Sequence, residues 1–217
     1  MRRYLYVIIL LSVSSFCLAQ TEAPAPAHKP SLSQLAAESD LVAVAQLVQT
    51  EYELTRGFPS KGHAVLRLLI TYKSPREYDL IQVNEEGLKE HECYFPDTSV
   101  WQEGQRFLVF LNQDEEQVFE GHPQVCALSL LVTEQNLYAL RMPQESIELG
   151  AEGSALVQDL VYVDPAARVD ATELTRTAIA EMGERLYTRQ IGDELIYTRG
   201  IILTDVRRLI GPEALSD

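Results

Sequence analysis

Short runs of alternating apolar and polar residues, separated by turn signals, dominate the first two-thirds of the chain. Residues 41–49 are apolar on both faces of an extended strand, and residues 51–54 continue that strand with one polar face. Such a strand is predicted to begin buried on both sides and to emerge toward solvent. Further strands are predicted at 65–72, 78–83, 105–111, 118–119, 126–132 and 137–141. This spacing is typical of a small β-barrel or sandwich.

A short helix is predicted before the first strand, and a turn after it. Ser31 or Ser33 can cap the helix, which is predicted to end by Ser39-Asp40. The turn is predicted over residues 55–62, because this stretch contains two glycines and a proline.

Helical periodicity returns near the C-terminus. Asp170 or Thr172 can cap a helix that ends near Leu186, and Thr204 can cap a last helix that ends at Ile210. Neither helix can bury its apolar face alone, so both need a surface to pack on.

These patterns predict a mainly β protein with α-helices. We expect a five-stranded, closed, OB-like barrel domain over residues 31–163, and an α-helical annex over residues 164–217 that packs on it.

The N-terminus has the three-part layout of a secretory signal peptide. Arg2 and Arg3 precede an apolar run over residues 4–16, and small residues lead to a predicted cleavage site after Ala19. Residues 20–30 are rich in Ala and Pro and are predicted to form an extended tether. An uncleaved anchor is the alternative. Lipid attachment at Cys17 is a further alternative, disfavoured because a Phe precedes it. We therefore expect a periplasmic or secreted protein.

Export changes how the remaining cysteines are interpreted. Cys93 and Cys126 are predicted to form a disulfide, because two cysteines in an oxidising compartment most simply pair with each other. The chain-entropy model assigns such a bridge about 3–4 kcal/mol. A reactive thiol, or a zinc site with His91 and His122, is the alternative. We expect no metal and no cofactor.

The charge balance excludes one large class of function. The chain has 18 Lys and Arg against 32 Asp and Glu, a formal net charge of −14. Nucleic-acid binders need a cationic face, so we expect no nucleic-acid partner. No long apolar run follows the N-terminal one, so we expect no membrane span in the mature chain.

No motif for catalysis or phosphate binding is present, and no catalytic residue is predicted. The acidic runs at 85–86, 90–92 and 114–116 are predicted to be solvated loops, with calcium binding or acid–base chemistry as the alternatives. An aromatic cluster at one barrel end is the candidate binding patch. Its members are Tyr52, Phe58, Tyr94, Phe95 and Trp101.

The order of these features resembles exported bacterial domains related to the netrin-like and TIMP-like OB fold. The resemblance covers about residues 31–141, and its best part is the strand around residues 104–111 (GQRFLVFL). Animal TIMP proteins inhibit metalloproteases through the amino group and carbonyl of an N-terminal Cys. Here the expected mature N-terminus is Gln20, with no cysteine near it, so the resemblance does not imply that activity.

The sequence favours a non-enzymatic, exported module that binds a protein or another component of the cell envelope. An envelope hydrolase or enzyme inhibitor is the first alternative, and a subunit of an assembly is the second. An enzyme is expected to have a concave pocket with convergent polar groups. A binding module is expected to have a filled barrel and a surface patch.

Overall fold

The computed structural model describes residues 28–87, 93–95 and 105–211. The predicted signal peptide, most of the tether, the acidic run at 90–92 and Trp101 lie outside these residues. The described elements are, in chain order, α1 (Leu32–Glu38), β1 (Leu41–Thr55), β2 (Phe58–Lys73), β3 (Leu80–Glu86), β4 (Arg106–Gln113), β5 (Phe119–Gly121), β6 (Ala127–Val132), β7 (Tyr138–Arg141), α2 (Gly150–Ala155), β8 (Gln158–Asp159), β9 (Arg168–Asp170), α3 (Arg176–Arg185), β10 (Thr188–Ile191), β11 (Glu194–Tyr197), β12 (Arg199–Ile202) and α4 (Leu203–Ile210).

Strands β1 to β5 form a closed barrel. Antiparallel pairing joins β1 to β2, β2 to β3 and β4 to β5, whereas β3 and β5 run parallel. Strand β1 also pairs antiparallel with β4, which closes the ring in the order β1-β2-β3-β5-β4. This mixed five-stranded barrel with extra strands outside it is consistent with an OB-like barrel, and it confirms the predicted fold class.

The first half of β1 is buried on both faces, as its apolar pattern predicted. Leu41 and Ala43 point into the barrel, where they join the core that fills its interior. Val42 and Val44 point outward into a second core, which the barrel shares with α1 and α4. The barrel wall therefore separates two apolar layers, and this strand contributes to both.

Helix α1 begins where the sequence predicted. The Ser31 hydroxyl accepts the Gln34 N–H at 3.1 Å, and the Gln34 side chain accepts the Ser31 N–H at 2.8 Å, which is a complete capping box. At the other end, Lys73 Nζ donates to the carbonyls of Ala36 and Ala37, both at 3.1 Å. These contacts fix the helix over the outer face of the barrel.

The predicted turn over residues 55–62 is wrong in length. The turn contains only Arg56 and Gly57, and β2 begins at Phe58. Pro59 is tolerated because pairing with β3 starts only at Lys61, so β2 has one neighbouring strand at this point. Gly62 is required, because a Cβ there would lie 2.0 Å from the Glu51 carbonyl oxygen.

Beyond the barrel, β6 and β7 extend the sheet from β4, and β12 and β8 complete it. The C-terminal segment contains both predicted helices, α3 and α4, but their predicted caps are wrong. Helix α3 begins at Arg176 and is capped by Thr175, and α4 begins at Leu203 with no side-chain cap. The segment also contains strands that the helical periodicity did not predict, because β9, β11 and β10 form a separate three-stranded sheet and β12 joins the large one. These strands have three or four residues each, too few for a reliable alternation signal.

The predicted disulfide is confirmed. Cys93 and Cys126 are joined, with an S–S distance of 2.05 Å. A structural disulfide indicates a non-reducing compartment. No helix in the described part of the chain has the length and apolar character needed to cross a bilayer.

Candidate functional site

A cleft of about 950 Å³ opens on the barrel. Its walls come from β2, the end of β3, the loop between β4 and β5, and β5 itself. In OB folds the face of the second and third strands and the loop between the last two strands form the usual ligand surface. The lining residues are Lys61, Gly62, His63, Asn84, Glu85, Glu86, Asp114, Glu116, Val118, Glu120, Gly121 and Pro123.

The cleft exists because β3 and β5 diverge. The two parallel strands share a single paired position, Val83 with Phe119. Beyond it, the half-buried Glu85 spans the gap, and its Oε1 accepts the Gly121 N–H at 2.9 Å. A carboxylate that accepts a backbone N–H holds the two strands together where their own ladder has ended.

The disulfide packs directly behind this contact. A Cβ on Gly121 would lie 2.5 Å from Cys93 Cβ, 2.8 Å from Glu85 Oε1 and 2.9 Å from Cys126 Cβ. Position 121 therefore excludes any larger residue without a shift of its neighbours. We infer that the disulfide and Glu85 together support the floor of the cleft.

One wall of the cleft is a compact turn built by Asp114. Its Oδ1 accepts the N–H groups of Glu116 at 2.9 Å and Val118 at 2.8 Å. The Asp114 N–H in turn donates to the Val118 carbonyl at 3.0 Å. Because these bonds fix the backbone of the turn, Glu116 is held beside the cleft on an ordered loop.

Negative charge dominates the lining, where five carboxylates face one lysine. Lys61 Nζ lies 3.1 Å from Glu86 Oε1, so one pair is neutralised. The carboxylates of Glu116 and Glu120 have no hydrogen-bond or ion-pair partner among residues 28–87, 93–95 and 105–211. The cleft therefore offers two uncompensated anionic side chains to a ligand.

The acidic cleft continues into a smaller apolar groove of about 240 Å³. Asn84 and Val118 line both, and the groove adds Tyr78, Leu80 and Phe119. Leu80 is 52% exposed, which is high for a large apolar side chain. A ligand lying along both would meet carboxylates at one end and apolar surface at the other.

The predicted aromatic patch is divided between three environments. The rings of Tyr52 and Tyr94 meet edge to face at 5.1 Å at the barrel end, where both are half-buried. Phe95 is 4% exposed and packs on Phe107, so its ring belongs to the core rather than to a surface. Phe58 is 66% exposed at the tip of the β1–β2 hairpin. Trp101 lies outside the described residues.

Hydrogen bonds tie this aromatic cluster to the backbone. Tyr52 Oη accepts the Phe95 N–H at 3.1 Å, and Tyr94 Oη donates to the Gly87 carbonyl at 2.8 Å. Burial raises the pKa of Tyr52 to about 12, against the Phe95 hydrogen bond and with help from the Glu85 charge. The cluster therefore links Tyr94 and Phe95 to β1 and to the end of β3.

The lining of the cleft limits the chemistry it can perform. Among its lining residues there is no serine, threonine or cysteine to act as a nucleophile. The single histidine, His63, lies 3.8 Å from Glu51 through its Nε2. Within the described parts of the chain, no three His, Cys, Asp or Glu side chains converge to hold a metal ion. The thiols of the alternative zinc site are consumed by the disulfide.

Sequence reasoning missed the cleft because it treated the acidic runs separately. Residues 85–86 and 114–116 are far apart in sequence, and each is unremarkable as a polar loop. The barrel order places the end of β3 beside the turn that precedes β5. Two acidic runs at those two positions of an OB-like strand order were the signal that would have identified this surface.

Comparisons of the chain with protein-family models, with curated proteins and with solved structures find no match.

Proposed function

We propose that this chain is an exported, non-enzymatic binding module that holds a basic segment of a protein partner in its acidic cleft. The observation that carries the proposal is the lining itself, with five carboxylates against one lysine on the surface where OB folds receive ligands. Lys and Arg side chains complement such a surface, and nucleic acid is repelled by it.

The shape of the cleft favours an extended segment over a single ion. Its carboxylates come from the end of β3, the loop between β4 and β5, and β5 itself, so they are distributed along the cleft instead of converging on one point. The adjoining groove with Tyr78 and Leu80 can accept an apolar side chain of the same segment. This arrangement matches peptide recognition by charge along a groove with a pocket at one end.

Export is supported by two independent features. The N-terminal layout is that of a signal peptide with cleavage after Ala19, and the disulfide needs a non-reducing compartment. We therefore propose a periplasmic or secreted protein, and kinship with netrin-like and TIMP-like domains at the level of the barrel. The inhibitory mechanism of TIMP proteins is not proposed.

A hydrolase is the second candidate, because the cleft is concave and carries several polar groups. Such an enzyme would have to use carboxylates as acid and base, since the lining offers no hydroxyl or thiol. The binding role is preferred because Glu85 and Asp114 already accept backbone N–H groups and serve the structure of the cleft.

The proposal is tested with a short lysine-rich peptide and a glutamate-rich peptide of equal length. We expect the mature chain to bind the basic peptide alone, in a titration followed by fluorescence anisotropy, with affinity that falls as salt is added. Replacing Glu116 and Glu120 with Lys is expected to weaken binding by about two- to fivefold per position.

The matched control variant replaces Glu134 and Glu152 with Lys. Both are exposed and lie outside the cleft, and this variant has the same net charge as the test variant. Equal losses in the two variants would reduce the effect to general charge attraction and would contradict a specific role for the cleft.

A further inference from the structure

A buried histidine lies beside the floor of the acidic cleft. His122 follows Gly121 and precedes Pro123, and both of these neighbours line the cleft. The His122 side chain is only 2% exposed. Histidine is the side chain whose charge ordinarily changes between about pH 5 and 8, and a charge at a buried position is costly unless it is compensated. The cleft therefore has a group beside it that acidification can disturb.

A backbone contact depends on the neutral form of this imidazole. His122 Nδ1 accepts the Gln124 N–H at 3.3 Å, and the described residues provide no other acceptor for that N–H. A ring nitrogen can accept a hydrogen bond only while it carries no proton. Protonation of His122 would place two donors against each other, so the contact with Gln124 would break.

The charged groups near His122 come from α1, β2 and β5. On α1, Glu38 Oε2 lies 3.5 Å from His122 Nε2. Lys73 of β2 donates to the carbonyl of Ala37, next to Glu38 in the chain, and Glu120 of β5 lies two residues before His122. Burial lowers the pKa of His122 from its ordinary 6.5, and the charge of Glu38 opposes that shift. The ring is therefore neutral at pH 7 and gains its charge on acidification.

The rim of the cleft is the part of this segment that is least constrained. Gly121 is fixed by its bond to Glu85 and by the disulfide packed against it. The His122 N–H donates to the Phe110 carbonyl at 3.0 Å, which fixes the next residue of the backbone. Pro123 and Gln124 are exposed, and within the described ranges their backbone is fixed only by the contact with His122 Nδ1. Loss of that contact therefore frees the cleft rim at Pro123.

We propose that His122 makes the acidic cleft release its basic ligand when the pH falls. A proton added at Nδ1 breaks the contact with Gln124, which displaces Pro123 from the cleft wall, and it introduces a positive charge two residues from Glu120. Both changes weaken the site for a cation. Because such coupling is reciprocal, a bound basic ligand must also make His122 harder to protonate. This inference rests on the proposed function, since it assigns a regulation to the same cleft.

The proposal is tested by titrating the mature chain with the lysine-rich peptide at about pH 7.5 and about pH 5.5, with ionic strength held constant. The lining carboxylates stay ionised over this range, since their ordinary pKa values are about 4. We expect the affinity of the wild type to fall by about five- to tenfold, within the usual range of coupling between two sites. His122→Gln should lose much less, because its amide oxygen can accept the Gln124 N–H at both pH values.

Two further variants isolate the role of His122. His28 also lies 3.5 Å from a glutamate, Glu148, but its side chain is 77% exposed and lies outside the cleft. The control His28→Gln should therefore keep the full pH response. Glu38→Gln removes the carboxylate that favours the charged form of His122, and does so without altering the cleft lining. This variant should release the peptide only at a lower pH.

His63 offers the competing explanation, because it lines the cleft and can itself gain a charge. A pH response that disappears in His63→Gln and persists in His122→Gln would overturn the proposal. The NMR titration of the His122 ring in the wild type gives a second test that needs no variant. We expect the midpoint of this titration to move to lower pH when the peptide is bound, and an unchanged midpoint would also overturn the proposal.

The regulation and the function can fail separately in this experiment. Binding that is equally tight at both pH values would retain the binding function of the cleft and overturn its regulation by His122. Absence of binding at both pH values would overturn the function, and the regulation with it.

Discussion

The barrel and the C-terminal segment of this protein differ in how tightly their side chains are packed. The barrel interior is filled by side chains that are almost fully buried, and a disulfide crosses its end. Helix α3 in the C-terminal segment has no buried residue, and the core beneath the three-stranded sheet is small. The difference teaches that α3 and the three-stranded sheet depend on docking to the rest of the chain, whereas the barrel has a closed core of its own and shares a second core with α4.

The two regions also differ in charge. Residues 31–163 carry 21 acidic and 8 basic residues, a net charge of −13, whereas residues 164–217 carry 10 and 7, a net charge of −3. The acidity of the chain is therefore concentrated in residues 31–163, which include the barrel and its cleft. Electrostatic steering of a basic ligand would act on that region.

The largest contrast is expected from truncation of the two cores. Phe107 is buried in the barrel interior, and its replacement by Ala should lower the free energy of unfolding by about 3–5 kcal/mol. Met182 of α3 is half-exposed, and its replacement by Ala should cost about 1 kcal/mol or less. Urea unfolding followed by circular dichroism measures both. Equal losses would show that the two regions form one equally packed core.

Removal of the disulfide should also affect the barrel more than the C-terminal sheet. The disulfide closes a sequence separation of 33 residues, and replacing Cys93 and Cys126 with Ala should lower the free energy of unfolding by about 3–4 kcal/mol. Hydrogen exchange should show the loss of protection in β3 and β5, whose contact through Glu85 packs against the bridge. Protection of β10 and β11 should change less. A loss confined to the C-terminal sheet would refute this division.

The smallest contrast is expected in the response to pH. His122 is 2% exposed at the barrel, and burial lowers its pKa from 6.5, against the opposing effect of the nearby Glu38. The unfolded chain then binds the proton first, so stability should fall as pH drops through 6.5 and below. Replacing His122 with Gln should remove this part of the pH dependence, measured as Tm across that range.

The C-terminal segment should respond in a different pH window. Hydrogen bonds from the backbone N–H and the hydroxyl of Thr172 lower the pKa of Asp170 from 3.8. The contribution of Asp170 to the free energy of unfolding should therefore persist until pH falls below that value. Asp170→Asn should therefore leave the Tm profile near pH 6 unchanged. A shift of that profile by Asp170→Asn, and none by His122→Gln, would reverse the assignment.

The sequence predicted the strands of the barrel better than those of the C-terminal segment. The barrel strands were predictable because they are long enough to show their alternation, as in β1 with its two buried faces. Position 93 was paired correctly with position 126 because only two cysteines remain after the predicted cleavage. The strands of the C-terminal sheet were not predicted, since three or four residues carry too little periodicity.

The candidate site was harder to predict than the fold. The sequence identified aromatic residues by type, but burial removed Phe95 from the surface, and pairing of β1 with β2 placed Phe58 at the tip of their hairpin. The acidic cleft depends on strand order, since Glu85 and Glu116 meet only because β3 lies next to β5. Such a meeting of distant segments has no local signature in the chain.

The central claim, that the acidic cleft receives the ligand, is tested most directly by amide chemical shifts during titration of the mature chain with the lysine-rich peptide. The account predicts shifts that concentrate on Gly62, Asn84, Glu120 and Gly121, which line the cleft, and little change in β11. Shifts that concentrate on Tyr52 and the barrel end, or on the C-terminal sheet, would contradict it.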